Sequence, residues 1–176
     1  MRRAVLMLIV AASPLVAQQQ QSAPAANASV NAAKGVWTIS SGFVLRAAEQ
    51  MPESLYSFRP TPAVRSFGEL VGHVADAQYM FCASALGEKA PTTSSFEKSA
   101  TKKADLVKAM QDASAYCQRA YAITDAASAA SVSLFGMDMT KMGVLIMNGA
   151  HDYEHYGNMV TYFRLKGMTP PSSQGM

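Results

Sequence analysis

The sequence predicts an all-α protein built as a four-helix bundle. Four segments of the 176-residue chain carry apolar residues at three- and four-residue steps, the spacing that places side chains on one face of a helix. No stretch alternates apolar and polar residues over a useful length, so strands are not expected. About half of the residues are apolar (49%) and 15% are charged, which indicates one domain with a sizeable buried core.

Proline, glycine and capping residues bound the predicted helices. Ser66 and Glu69 form a capping box at the start of the second helix, because each side chain can satisfy a free backbone N–H group. Thr101 is the expected cap of the third helix, and Gly167 is expected to end the fourth. The four helices are predicted at about residues 36–50, 66–86, 101–124 and 140–166.

Two of the connections between these helices are long. The polar segment from Gly87 to Ala100 contains Pro91 and exceeds the roughly 2 to 8 residues that usually join neighbouring helices. It could carry the chain from one end of the bundle to the other. Residues 125–139 are small and polar, with one glycine, and are predicted to be a loop.

The N-terminus has the pattern of a secretory signal peptide. Arg2 and Arg3 precede an apolar run that continues to Ala17 and meets a polar break at Gln18. We predict that residues 1–17 are removed, that residues 18–34 are a flexible linker, and that the bundle occupies residues 35–173. The mature protein is then periplasmic or secreted and not membrane-bound; an uncleaved anchor helix is the alternative.

Charge argues against a nucleic-acid partner. The chain has 15 basic and 12 acidic residues, and removal of Arg2 and Arg3 leaves 13 against 12, a net charge near +1. The sequence contains no basic run or stripe, and phosphate binding requires clustered lysine and arginine.

Histidines are the strongest candidates for a functional site. His151 and His155 are four residues apart on the fourth predicted helix, so both lie on one face, where two imidazoles can chelate one ion. His73 lies at the edge of the apolar face of the second helix and can point toward them. Three imidazoles would leave one coordination position open for water or substrate.

Two other interpretations of these histidines remain open at this stage. Each could be a hydrogen-bonded core residue, which is the more common role of a single histidine on an apolar face. Alternatively, the polar line formed by His151 and His155 with Asn148 and Asn158 could simply face water. A buried polar line is costly unless its groups find partners, and a metal ion would provide one.

Residues 151–155 also match the H-x-x-E-H pattern of one class of zinc peptidase, with Glu154 as the base. We do not favour this interpretation, because those peptidases take a third, acidic ligand downstream. Only 21 residues follow His155, and none of them is acidic. We instead expect Glu154, Asp76 and Asp152 either to hydrogen-bond a metal-binding histidine or to lie on the surface.

Two segments, Gly72 to Asp76 and Ala150 to Asn158, resemble the DinB-like family. Two others, Met51 to Pro60 and Tyr162 to Ser173, resemble the bacterial exported members of that family in particular. The resemblance covers roughly residues 36–173. The resemblance implies a bundle with up-down-down-up order and parallel middle helices. It also implies a metal triad of His73, His151 and His155, with zinc or nickel as the usual ion. Some relatives are thiol-dependent transferases or isomerases, and relatives often form homodimers.

Parallel middle helices would bring the two cysteines to one level. Cys82 is 16 residues past Ser66, and Cys117 is 16 residues past Thr101. An exported protein would permit a disulfide, which we favour; two buried free thiols are the alternative.

Three functions follow as hypotheses. The first is a metal-dependent transferase or hydrolase acting on a small molecule, in a dry site bounded by some of Trp37, Tyr79, Met80 and Met159. The second is a non-catalytic metal-binding or stress-response bundle in which the ion stabilises the fold. The third is a metal-free helical interaction protein.

Overall fold

A computed structural model of the chain describes residues 26–92 and 95–174. The predicted signal peptide and residues 18–25 of the predicted linker lie outside these ranges. No helix in the described part of the chain has both the length and the apolar character needed to cross a membrane. The α-helices and β-strands of the described residues are α1 (Ala28–Gln50), α2 (Phe67–Leu86), α3 (Phe96–Ser99), α4 (Lys103–Ala120), α5 (Asp125–Ser128), β1 (Ser131–Leu134), β2 (Met137–Thr140) and α6 (Lys141–Leu165).

The four long helices, α1, α2, α4 and α6, form the predicted up-down-down-up bundle. Helices α2 and α4 run parallel, since Gly68 packs against Leu106 near their starts and Cys82 is bonded to Cys117 near their ends. Helix α6 runs antiparallel to α2, because successive positions along α2 meet earlier positions on α6. The pairs are His73 with His155, Gln78 with Asp152, and Cys82 with Asn148.

Helix α1 runs parallel to α6, which completes the order. Trp37 lies against Gly149, and Phe43 stacks on Tyr156 with ring centroids 4.9 Å apart. The crossover between α2 and α4 therefore spans the length of the bundle, as the length of the Gly87 to Ala100 segment indicated.

The predicted ends of α2 and α6 are confirmed. Ser66 accepts a hydrogen bond from the backbone N–H of Glu69, and the Glu69 carboxylate accepts one from the N–H of Ser66. Thr140 caps α6 through Gly143. Gly167 follows the end of α6 with φ 69°, a left-handed conformation that glycine adopts without steric cost.

Helix α1 begins earlier than predicted. Its first residue is Ala28, so residues 28–34 are helical and not part of a linker. The Asp125 carboxylate accepts hydrogen bonds from the backbone N–H groups of Ser29 and Val30, and the Val30 side chain is buried. Asp125 lies 96 residues from Ser29, so no local pattern could reveal this cap.

The third bundle helix is shorter than predicted, and Thr101 does not cap it. Helix α4 begins at Lys103 after Lys102, which makes no side-chain capping bond. It ends at Ala120, and Thr124 caps the separate short helix α5 through the N–H of Ala127.

The segment from 125 to 139 is not a loop. It contains α5 and an antiparallel hairpin in which β1 pairs with β2, Ser131 opposite Thr140 and Leu134 opposite Met137. Phe135 and Gly136 form the two-residue turn, with φ 53° and 74°, the positive values typical of tight hairpins. Four-residue strands give too little alternation to detect, and the buried Leu134 holds this hairpin on the bundle.

Cys82 and Cys117 form a disulfide, the alternative favoured on the sequence. It joins α2 to α4 within a buried apolar cluster that also contains Trp37 and Tyr121, whose stacked rings have centroids 4.5 Å apart. Both sulfurs are therefore removed from any metal chemistry.

Candidate metal centre

The three histidines singled out on the sequence lie together between α2 and α6. The Nε2 atom of His151 is 3.2 Å from Nε2 of His73 and 3.0 Å from Nε2 of His155. One ligand atom from each of the three residues falls within 4.8 Å of the others. His155 is buried, and the other two are half-buried.

This arrangement suits a divalent metal ion. Imidazole nitrogens bind zinc at about 2.0–2.1 Å, and tetrahedral angles then place two such nitrogens roughly 3.3 Å apart. The two Nε2 separations, 3.2 and 3.0 Å, are close to that value. Three neutral nitrogen donors also match the imidazole sites that zinc, nickel and copper prefer.

A carboxylate fixes the proton on His73. The Nδ1 atom of His73 lies 2.9 Å from Oε2 of Glu97 and donates to it. With the proton on Nδ1, the Nε2 lone pair faces the other two histidines, which is the tautomer that a metal ligand requires. Glu97 is itself held by Arg65, whose Nε lies 2.8 Å from the other carboxylate oxygen.

Charge neighbours keep Glu97 ionised. Partial burial raises the pKa of its carboxyl, but the hydrogen bonds from Arg65 and His73 outweigh burial and leave the pKa below its ordinary value. The carboxylate therefore remains an acceptor for His73 near neutral pH.

Glu97 reaches His73 because α3 packs very closely against α2. Asp76 caps α3 by accepting hydrogen bonds from the backbone N–H groups of Phe96 and Glu97. At Gly72 the two backbones come so close that a Cβ atom there would lie 2.6 Å from the amide nitrogen of Glu97. Gly72, directly before His73, and Asp76, about one turn after it, thus hold the crossover against α2.

We expect Glu97→Gln to lower the affinity for zinc by roughly 10- to 100-fold, as removal of a ligand's hydrogen-bond partner usually does. The amide loses the negative charge that favours a proton on Nδ1 of His73. Competition with a chromophoric chelator measures the change. Arg65→Ala is the control, because it breaks the ion pair with Glu97 but leaves the His73 contact. An equal loss in both variants would contradict a role through His73.

His155 has a different neighbour. The side-chain amide of Asn158 lies 3.3 Å from its Nδ1. The amide oxygen and nitrogen are interchangeable by rotation, so the oxygen can accept Nδ1–H when Nε2 is a ligand. Asn158 is exposed and Asn148 is fully buried, so the polar line seen in the sequence does not face water as a whole. Asn148 lies away from the histidines, beside the disulfide and Tyr121.

Burial keeps two of the imidazoles neutral. It lowers the pKa of His151 to about 4, with a further lowering from the charges of His155 and His73. Burial likewise lowers the pKa of His155 to about 4, with His73 acting in the same direction. Neutral imidazole is the form that binds metal, so protons compete weakly with a cation at these two residues above about pH 5.

These pKa values predict that the metal-free protein loses stability as the pH falls from 6.5 to 4. In that window the unfolded chain binds protons on His151 and His155, whereas the folded chain does not until about pH 4, so acid favours unfolding. The measurement is the melting temperature against pH in the presence of a chelator. His155→Gln should flatten the profile; an unchanged slope would contradict the prediction.

Asp152 is not at the metal centre. Its side chain is fully buried in the core, where Oδ2 accepts a hydrogen bond of 3.2 Å from Gln78. Burial raises the pKa of this carboxyl well above its ordinary range. As the pH falls, this raised pKa favours the folded protein, whereas the lowered pKa values of the histidines favour unfolding. The contribution of Asp152 is present in both wild type and His155→Gln, so it cancels when their pH profiles are compared. Asp76 is a cap for α3, and Glu154 is exposed at the rim of a cavity.

One cavity is lined by two of the histidines, and a second is lined by Glu97 and Asn158, the hydrogen-bond partners of His73 and His155. One, of about 530 Å³, is bounded by His73 and His151 and by the apolar side chains Met80, Phe81, Phe135 and Met147. The other, of about 670 Å³, has a mixed lining that includes the polar side chains of Arg65, Glu97, Asn158 and Tyr162. Of the four apolar walls expected from the sequence, only Met80 lines the cavity beside the histidines. Trp37 and Met159 are fully buried in the core.

Glu97 and Phe135 were not identified on the sequence. Glu97 lies in the crossover and Phe135 in a segment expected to be a loop, and neither stands in a recognisable motif. The signal that could have identified Phe135 is the pair Phe135-Gly136 between short alternating runs, a weak hairpin pattern.

Comparison with known proteins supports the family resemblance. Residues 44–159 match the family model described as the DinB superfamily. A DinB-like protein of Bacillus cereus ATCC 10987 has a similar crystal structure, with TM-score 0.70 and 17% identity over 80% of this chain and 95% of that one. A DinB-like protein of Bacillus subtilis has TM-score 0.63 and 23% identity over 83% and 100%. No match was found among curated proteins. Because the family model covers more than half of its residues, the chain belongs to the DinB superfamily.

Proposed function

We propose that this is an exported protein in which His73, His151 and His155 bind one divalent metal ion, zinc or nickel. We further propose that it is a metal-dependent enzyme of the thiol transferase or hydrolase type. The observation that supports the proposal is the convergence of three imidazole Nε2 atoms from two helices. The apolar cavity bounded by His73 and His151 leaves room for a small-molecule substrate.

When bound, the ion would supply Lewis-acid chemistry, through an open position, to a water molecule or a thiol. The protein's own groups prepare that position. Glu97 holds the proton of His73 on Nδ1, Arg65 holds Glu97, and the ring of Phe81 packs edge-on against His151 at 5.5 Å. Glu154 lies at the rim of the apolar cavity beside His73 and His151.

Two observations support export. Arg2 and Arg3 followed by an apolar run have the composition of a signal peptide. The disulfide between Cys82 and Cys117 suits an oxidising compartment, since cytosolic thiols are kept reduced.

The test is the metal content of mature protein purified without added metal. We expect about one zinc or nickel ion per chain and a large loss in His73→Ala and His151→Ala. If three histidines share a zinc affinity of about 10–16 kcal/mol, removal of one should cost roughly 3–5 kcal/mol, which corresponds to at least a 100-fold loss. Tyr153→Ala is the control, because this side chain lies on the same helix and is 40% exposed. Metal-free wild type that also fails to take up added zinc would overturn the proposal.

A non-catalytic role for the ion is the second candidate. The ligands come from α2 and α6, so an ion would also tie two helices of the bundle together and stabilise the folded state. Thiol transfer and hydrolysis assays separate the two roles. Turnover that requires metal and is lost in His151→Ala supports an enzyme, whereas a metal-dependent melting temperature without any turnover supports the structural role.

A further inference from the structure

The cavity beside His73 and His151 is apolar and is partly built by the hairpin. Its walls are Met80 and Phe81 from α2, Met147 from α6, and Phe135 from the turn between β1 and β2. Its volume of about 530 Å³ lies within the range of roughly 300–1,000 Å³ that is usual for small-molecule sites.

Phe135, which forms part of this wall, has an unfavourable conformation. Its φ is 53°, in the left-handed region where a bulky residue is strained. The residue is also 63% exposed, so its ring gains little from burial. Its ring packs edge-on against Phe81 at 6.1 Å, and the ring of Phe81 packs against His151 at 5.5 Å. A continuous aromatic surface therefore leads from the tip of the hairpin to the histidines.

We propose that this cavity binds the uncharged alkyl or aryl group of a small molecule whose polar head reaches the metal centre. The inference rests on the proposed metal function and adds the substrate class. The charged side chain in the cavity lining is Glu154, which disfavours an anionic tail. The opposite cavity, with Arg65 and Asn158, suits polar groups and does not include the histidine rings in its lining.

The test uses a series of linear alkyl hydroxamic acids, from two to eight carbons, as probes on protein loaded with Co²⁺. Binding is followed by the visible absorption of the cobalt. We expect affinity to rise roughly three- to fourfold per added methylene until the cavity is filled. Phe135→Asn should lower the affinity for the eight-carbon probe by about tenfold and leave the two-carbon probe unchanged.

Asparagine is chosen because it tolerates positive φ, so this variant should fold at least as well as wild type. Met137→Asn is the matched control: Met137 follows the same turn and is 51% exposed, but it does not line the cavity. Ala150→Phe gives a second test, since its ring would occupy the cavity from the exposed face of α6. This variant should abolish the rise in affinity with the length of the alkyl chain of the probe.

The outcomes separate this inference from the metal proposal. If Co²⁺ does not bind, the metal centre itself is wrong. If Co²⁺ binds but chain length has no effect, the metal centre stands and the apolar cavity is not a binding site. Equal losses for short and long probes in Phe135→Asn, or equal losses in Met137→Asn, would also overturn the assignment of Phe135 as a wall.

Discussion

Removal of the Cys82–Cys117 disulfide is expected to lower the free energy of unfolding by about 3–4 kcal/mol. The bond closes a segment of 35 residues, and the loss of chain entropy in the unfolded state accounts for this magnitude. For a domain of this size the melting temperature should fall by roughly 10 °C. The measurement is thermal unfolding with and without reductant.

The double variant Cys82→Ala, Cys117→Ala is the control for this experiment. Its melting temperature should already be low and should not respond to reductant. Two free thiols in unreduced, denatured wild type would show that the bridge does not form and would remove one support for export. A change below about 1 kcal/mol would show that the unfolded state is already restricted.

Gly72→Ala is expected to damage both the fold and the metal centre. The new Cβ would lie 2.6 Å from the amide nitrogen and 2.8 Å from Cα of Glu97. These are backbone atoms, so α3 must move away from α2. We expect a loss of about 2–3 kcal/mol in stability and a 10- to 100-fold loss of zinc affinity, because Glu97 would no longer reach His73.

Urea unfolding and zinc titration measure these two effects. Gly157→Ala is the matched control, since it lies within α6 near the site and its Cβ would meet nothing within 4 Å. It should stabilise the helix by about 0.5–1 kcal/mol and leave zinc binding unchanged. If Gly72→Ala binds zinc as wild type does, the seating of α3 on α2 does not matter for the site.

Local sequence patterns were sufficient to predict several helix ends. The capping box at Ser66, the cap at Thr140 and the left-handed Gly167 were all visible in the sequence or lay next to predicted boundaries, because each acts within one turn of its own helix. The position of His151 and His155 on one face of α6 also follows from their spacing alone.

The site itself could be predicted only in part. The apolar faces of the helices and the family resemblance together predicted that His73 lies beside the other two histidines, and the structure confirms this. Neither of these predicted Glu97, which comes from the crossover, or the place of Asp152 in the core. Asp152 is adjacent to His151 in the chain, but one residue is about 100° around a helix, so their side chains point in different directions.

By itself, the sequence determined the four long helices, the caps of α2 and α6, the histidine pair and the class of fold. Each of these depends on interactions between residues a few positions apart or on a recognisable family pattern. The tertiary structure alone decided three other features. These are the start of α1 on Asp125, the contact of Glu97 with His73, and the wall that Phe135 forms beside His151. Each joins residues separated by at least 16 positions, up to the 96 between Ser29 and Asp125. Such contacts arise only when the packed bundle holds both partners in place.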